Sequence, residues 1–308
     1  MGDPAKVFDG DAQLNRQVMS AHIAWIGVGK MGLPMCRHLI ASGYAIAAFD
    51  PSNAARENAR AIGARVYGSI RETASSGEWV FASVPDDRAL MEIVSGRDGI
   101  KAAAKKSGAV FIDTSTVSPA ASAQVAKVLH EAGIYYLRAP LSGSVVSAEN
   151  RQLTALVSGP EAQYRRIEPL LACFCAKQFY LGAAEEARTM KLVLNIMVAL
   201  SGAMLAEAAV LGERGGLDLE KMLQVIDSSA LASPFIKYKT SLLREQAYPA
   251  AFTCAQMLKD LSLIETAAAE TGAVLPTTAL ATRLFERALH DGYGELDLMA
   301  VKRVIERA

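Results

Sequence analysis

The chain has 308 residues, with Lys plus Arg equal to Asp plus Glu at 32 each, so it carries no net charge at pH 7. That balance argues against a nucleic-acid or membrane-surface partner, while a hydrophobic share of 51% gives a chain of this length enough material for two domains. The four cysteines (Cys36, Cys173, Cys175, Cys254) show neither C-x-x-C spacing nor disulfide-rich density, which points to reduced thiols and a cytoplasmic location.

The first 18 residues, MGDPAKVFDGDAQLNRQV, are polar and lack the basic start and apolar core of a signal peptide. Residues 1–19 are read as a loosely ordered, functionally silent leader. Then comes HIAWIGVGKMGLPMCRHL, residues 22–39: an apolar run, Gly27-x-Gly29-x-x-Gly32, and Met35 and Leu39 at helical spacing. This predicts strand, tight turn and helix. In such a turn Gly27 permits the bend, Gly29 lets a pyrophosphate reach the main chain, and Gly32 lets the helix pack on the strand. A second strand, YAIAAFD, ends at Asp50, close to the offset at which a carboxylate binds the ribose diol of a dinucleotide.

Further apolar runs (ARVY, EWVFASV, AVFIDTS, IYYLRAP, TALVSG, QFYLG) alternate with helical patterns to about residue 180. The fold class expected is α/β: a Rossmann-type doubly wound, mainly parallel sheet with helices on both faces. It spans residues 20–183 and is followed by an all-helical domain, 184–308. A doubly wound sheet binds ligand at the carboxyl ends of its strands. Chemistry is therefore sought at Gly27 to Gly32, Asp50, Val84 to Asp86, Thr114 to Pro119 and Ser142 to Ser144. The four histidines (His22, His38, His130, His290) form no close pair, and no metal site is expected.

The helical half opens with ARTMKLVLNIMVALSGAMLAEAAVLGERGG, in which Lys191 is the only charge between Arg188 and Glu207. The fifteen uncharged residues after Lys191 fall short of the roughly twenty that span a bilayer. An almost wholly apolar helix has no wet face, so it is expected to be buried between domains or against a partner subunit. A lysine there loses hydration, which lowers its pKa and suits it to proton transfer. Asn195 is one turn on, on the same face. Residue types alone leave open the other reading, a lysine that snorkels to solvent.

Six segments in order resemble the beta-hydroxyacid dehydrogenase family, the group of 3-hydroxyisobutyrate dehydrogenase, tartronate semialdehyde reductase and glyoxylate/succinic semialdehyde reductases, distantly related to 6-phosphogluconate dehydrogenase. They are GVGKMGLPM, SVPDD, DTSTVSP, APLSGS, KLVLN and MLKDLSL, and the similarity runs from about His22 to Ala308. The resemblance implies that Lys191 is the acid and base, that Asn195 helps hold substrate, and that Ser142 and Gly143, with Ser144 beside them, bind its carboxylate. It further implies that Gly27, Val28, Gly29, Lys30, Met31, Gly32, Asp50, Val84, Pro85, Thr116 and Lys259 bind the cofactor. Outside the family, Ser142 reads as an ordinary turn serine and Thr116 as a helix cap before Pro119.

Three positions depart from the family's pattern. Arg138 stands for an acidic residue, Ser144 for the second glycine of the substrate loop, and Arg151 for another glycine. Arg151 is expected in solvent, the alternative being an extra anionic group on the substrate. The expected activity is hydride transfer between a nicotinamide cofactor and a small 3-hydroxy acid or its semialdehyde. Imine reduction on the same fold and a non-catalytic scaffold are the alternatives. NAD is expected over NADP, because Asp50 repels a 2'-phosphate and Pro51 occupies a position where NADP users often carry arginine, although Arg56 leaves NADP possible. The expected partners are a small carboxylate substrate and further copies of the chain, as a homodimer or homotetramer, with no nucleic acid and no membrane.

Overall fold

The computed structural model describes residues 22–103 and 108–307; the expected leader lies outside them. The apolar run before the glycines forms β1 (His22–Ile26), and α1 (Gly32–Ala41) begins at the third glycine. β2 (Ala45–Phe49), α2 (Asn53–Ala61), β3 (Arg65–Val66), α3 (Ile70–Ser75) and β4 (Trp79–Ala82) follow, then α4 (Asp87–Ser95), α5 (Ile100–Ala103), β5 (Val110–Asp113), α6 (Pro119–Glu131) and β6 (Tyr135–Arg138). Side-chain oxygens of Ser52, Ser69, Asp86 and Ser118 cap α2, α3, α4 and α6, satisfying backbone N–H groups that the first helical turn leaves without partners.

The sheet has nine strands among the described residues, in the order β3-β2-β1-β4-β5-β6 and then three more. All pairings up to β6 are parallel. β7 (Leu141–Ser142), the helix α7 (Val145–Glu149), β8 (Leu153–Ser158), α8 (Glu161–Ala172) and β9 (Cys175–Gly182) complete this part. β8 runs antiparallel to β6 and β7 and parallel to β9. Alternate residues of the central strands enter two separate cores. Ile23, Trp25, Phe81 and Ile112 pack with Met35 and Leu39 of α1 and Ile167 of α8. Ala24, Ile26, Val80 and Phe111 pack with Leu90 of α4 and Val125 of α6. Both faces are thus covered, as expected for a doubly wound sheet, and each large side chain removed from water contributes roughly 1.5–3 kcal/mol.

The chain divides into two compact units, the first ending at Lys191 and the second starting at Leu192. The helix α9 (Glu186–Arg214) contains the point of division. After it come α10 (Leu219–Ser228), α11 (Pro234–Glu245), α12 (Cys254–Thr271), α13 (Pro276–His290), a 3-10 turn (Leu298–Ala300) and α14 (Val301–Glu306). No strand occurs among the described residues of the second unit. Its core joins Leu205, Leu223, Leu243, Met257, Phe285 and Val301. Thr253 and Gln256 form a reciprocal capping box at the start of α12.

Within the chain α9 is covered on one side only. Leu192, Ala199, Leu205, Ala206 and Ala209 are buried, but Val193 (44% exposed), Met197 (63%), Met204 (53%) and Leu211 (76%) recur at helical spacing and face out. By length and composition alone the helix could cross a bilayer, and 44% of its most apolar stretch is buried inside the protein. Composition shows an apolar helix; only the packing shows which stripe is covered.

Candidate active site

The three glycines differ in their surroundings. Gly27 has φ +88°, and a Cβ on it would stand 2.2 Å from the Ser83 carbonyl oxygen. A Cβ on Gly32 would stand 2.1 Å from the Gly27 carbonyl oxygen and 2.9 Å from Trp25 Nε1. At Gly29 nothing lies within 4 Å, and both Gly29 and Lys30 are exposed. Two glycines are therefore demanded by the protein's own packing, while the third keeps an open face beside the start of α1. Val28 and Gly32 are buried and Met31 partly so.

Hydrogen bonds tie this loop to the neighbouring strand ends. Gly27 N–H donates to Phe49 O at 2.8 Å and Ser83 N–H to Ile26 O at 2.9 Å. The buried Asp50 carboxylate accepts from Val28 N–H (2.9 Å) and Ser52 N–H (2.8 Å). Arg56 donates through Nη1 to the Asp50 main-chain oxygen at 2.6 Å and through Nη2 to Asn53 Oδ1. Val84 N–H donates to Ser115 Oγ at 2.9 Å, which joins the loop after β4 to the one after β5. Pro85 is exposed and Thr116 half-buried. The cap before Pro119 is Ser118, not Thr116. An exposed glycine face, backbone N–H groups at a helix start and a carboxylate at the end of β2 together fit a dinucleotide's pyrophosphate and ribose.

Asp113 at the end of β5 is fully buried and ion-paired with Arg188 in the first turn of α9. Arg188 also donates to Ser115 O (Nη1, 2.6 Å), Tyr136 Oη (Nη2, 2.9 Å) and Ser122 Oγ (Nε, 3.4 Å). Burial works against its charge, but Asp113 and Tyr136 outweigh that and raise its pKa. Burial likewise pushes the Tyr136 hydroxyl well above its usual range. Lys191, half-buried, is one turn beyond Arg188. Sequence reasoning missed Arg188 and Asp113; the only available signal was the acid that opens DTSTVSP.

Ser142 lies in β7, and Gly143 has φ +137° with a Cβ position 2.8 Å from Leu153 Cδ2. Ser144 Oγ caps α7 by accepting from Ser147 N–H at 3.4 Å. The departures from the family's pattern now have local explanations. Arg138 is buried, ion-paired with Glu185 and stacked over the Tyr136 ring at 4.4 Å. Arg151 adopts a left-handed backbone, φ +58°, and its exposed side chain donates from Nε to His38 Nδ1 at 3.1 Å. It is surface-exposed as expected, but held by a neighbour.

In the second unit Asn195 is buried and donates from Nδ2 to Asp260 Oδ2 at 2.6 Å. Lys259 Nζ stands 2.7 Å from Asp260 Oδ1 as an ion pair. Asp260 thus links Asn195 to Lys259, a role the sequence reading did not assign. Among the described residues no group of three His, Cys, Asp or Glu side chains is placed to hold a metal ion.

Residues 22–182 match the family model described as the NAD binding domain of 6-phosphogluconate dehydrogenase, and residues 186–305 match the one for NAD-binding of NADP-dependent 3-hydroxyisobutyrate dehydrogenase. The 2-(hydroxymethyl)glutarate dehydrogenase of Eubacterium barkeri is 33% identical over 289 residues, covering 94% of this chain and 96% of that protein. The chain belongs to the beta-hydroxyacid dehydrogenase family. It is accordingly a hydride-transfer oxidoreductase that uses a nicotinamide cofactor. Two solved structures of similar shape are the Mycobacterium tuberculosis 3-hydroxyisobutyrate dehydrogenase with L-serine (TM-score 0.83, 29% identity, 94% of this chain and 100% of that one) and Psf3 with NADP+ and 2-OPP (TM-score 0.84, 25% identity, 92% and 99%).

Proposed function

We propose that the protein interconverts a small 3-hydroxy acid and its semialdehyde, with Lys191 as general acid and base. What supports this reading is Arg188: one turn ahead of Lys191, it grips the Asp113 to Ser115 loop at the carboxyl end of β5, where a doubly wound sheet binds its ligands. The nicotinamide supplies or takes up the hydride when bound. Lys191 gives a proton to the carbonyl oxygen in reduction and takes it from the hydroxyl in oxidation. The Ser142 hydroxyl and the Gly143 N–H hold the substrate carboxylate, with Ser144 beside them and Asn195 oriented by Asp260. Gly27 to Gly32, Asp50, Val84, Pro85, Thr116 and Lys259 hold the cofactor.

The test is a panel of small hydroxy acids and aldehydes, followed through the absorbance of the reduced nicotinamide. Lys191→Ala should lower turnover by on the order of a hundredfold or more and leave dinucleotide affinity unchanged. A mutant with normal turnover removes Lys191 from the mechanism; a wild type inactive on the whole panel refutes the small 3-hydroxy acid as its substrate class.

NAD is the proposed preference. The Asp50 carboxylate, fixed by two backbone N–H groups, accepts hydrogen bonds from a 2'-hydroxyl and repels a 2'-phosphate, and Arg56 is already engaged by the Asp50 and Asn53 oxygens. The NADP named for one matching family model and for Psf3 belongs to those proteins, so competitive titration of NADH and NADPH decides the matter here. Tighter NADPH binding would overturn this reading of Asp50. The exposed apolar face of α9 supports self-association as a dimer or tetramer, and four cysteines without a disulfide support a cytoplasmic location. Met197→Glu should shift the mass measured by light scattering to that of a monomer, and a monomeric wild type would refute it.

A further inference from the structure

Asp113, Ser122, Tyr136, Arg138, Glu185 and Arg188 form one buried polar network in the first unit that the hydride and proton transfers do not use. Ser122 Oγ meets Tyr136 Oη (3.2 Å), Arg138 Nε (3.3 Å) and Arg188 Nε (3.4 Å), and Tyr136 Oη donates to Asp113 Oδ2 at 3.0 Å. The charges cancel in two pairs, Arg188 with Asp113 and Arg138 with Glu185. Burying two guanidinium groups is a poor way to add stability, because apolar residues of similar volume often do as well. What such a hub supplies is a single geometry: a planar fork whose three nitrogens each have a separate partner.

Those partners converge on Ser115. Its N–H donates to Asp113 Oδ1 at 2.9 Å, its carbonyl accepts from Arg188 Nη1 at 2.6 Å, and its hydroxyl accepts from Val84 N–H at 2.9 Å. One residue thereby couples the loops carrying Val84 and Thr116 to the first turn of α9. A helix is stiff over a single turn, so fixing position 188 fixes position 191. We infer that Arg188 is a positioning residue that sets the turn bearing Lys191 against the Ser115 loop. This rests on the proposed role of Lys191. It also explains why an arginine is tolerated at a buried site next to a second cation.

The experiment is a double-mutant cycle of Arg188→Lys and Lys191→Ala, with kcat, KM and dinucleotide Kd measured well below each variant's Tm. Lysine keeps a charge for Asp113 but cannot span Asp113, Ser115 and Ser122 together. R188K should lower kcat by on the order of tenfold with dinucleotide Kd near wild type. Added to K191A it should cause no further loss, because the two act through one another. A lower Tm with unchanged kcat, or losses that multiply in the double mutant, overturns the positioning role. Should R188K not fold, the charge-free pair Arg188→Met with Asp113→Asn takes its place in the cycle. The two readings fail separately: normal turnover in K191A defeats the lysine assignment, whereas an impaired K191A beside a normal R188K defeats only the role of Arg188.

Discussion

The open face of Gly29 and the closed one of Gly32 predict opposite phenotypes for the same one-atom change. In Gly32→Ala the new Cβ would lie 2.1 Å from the Gly27 carbonyl oxygen and 2.9 Å from Trp25 Nε1, so α1 must shift away from β1. Overpacking of this kind costs about 1–3 kcal/mol. The Trp25 Nε1 bond to Gly27 O, now 3.1 Å, goes with it at about 1 kcal/mol more. A loss of about 2–4 kcal/mol in a domain of this size lowers Tm by roughly 4–16 °C. In Gly29→Ala nothing is met within 4 Å, and stability should change by less than about 1 kcal/mol. The new methyl instead occupies the space through which a pyrophosphate reaches the loop. Loss of one charge-assisted hydrogen bond, about 1.5–3 kcal/mol, weakens dinucleotide binding roughly ten- to a hundredfold. Differential scanning fluorimetry supplies the Tm and calorimetric titration with NADH the Kd. The reasoning is refuted if Gly29→Ala melts as early as Gly32→Ala, or binds NADH as tightly as wild type.

Burial raises the Cys36 thiol well above its ordinary range and pushes Cys175 and Cys254 up to about 12; at pH 8 a thiol reagent should therefore titrate half-buried Cys173 first, and all four cysteines only in denaturant. More than one fast equivalent in the native protein would contradict this. The same shifts make stability pH-dependent. The folded state keeps thiol and Tyr136 protons that the unfolded chain releases from about pH 8.5 upward, so Tm should fall between pH 9 and 11. Lys239, lowered by burial, opposes this as one group against several, and a flat or rising Tm would count against the argument. Asp297→Ala should destabilise by about 3–5 kcal/mol, because it leaves the Lys239 ammonium, 2% exposed, without the carboxylate 2.7 Å away. Lys239→Met with Asp297→Asn should recover much of that loss in denaturant melts.

Features governed by neighbours along the chain are legible in the residues themselves. The turn at Gly27, the helix starting at Gly32, the strands to β9 and the change to helices after residue 183 rest on local backbone preference and on apolar spacing, and both are written in consecutive residues. β7 escapes such a reading because it is defined by its antiparallel pairing with β8, further along the chain. Arg138 and Glu185 are 47 residues apart in the chain, and Arg188 and Asp113 are 75 apart. No spacing rule reaches that far, since their pairing depends on β5, β6 and α9 having already come together. The apolar face of α9 divides in the same way. Its composition shows that water is disfavoured all around the helix, but Leu205 is buried and Met204 beside it exposed because neighbouring helices cover one stripe only. Residue types thus decided which elements form and where the strands end. Tertiary packing decided which charges neutralise one another and which apolar surface remains uncovered, because both depend on distances between groups that the chain itself holds far apart.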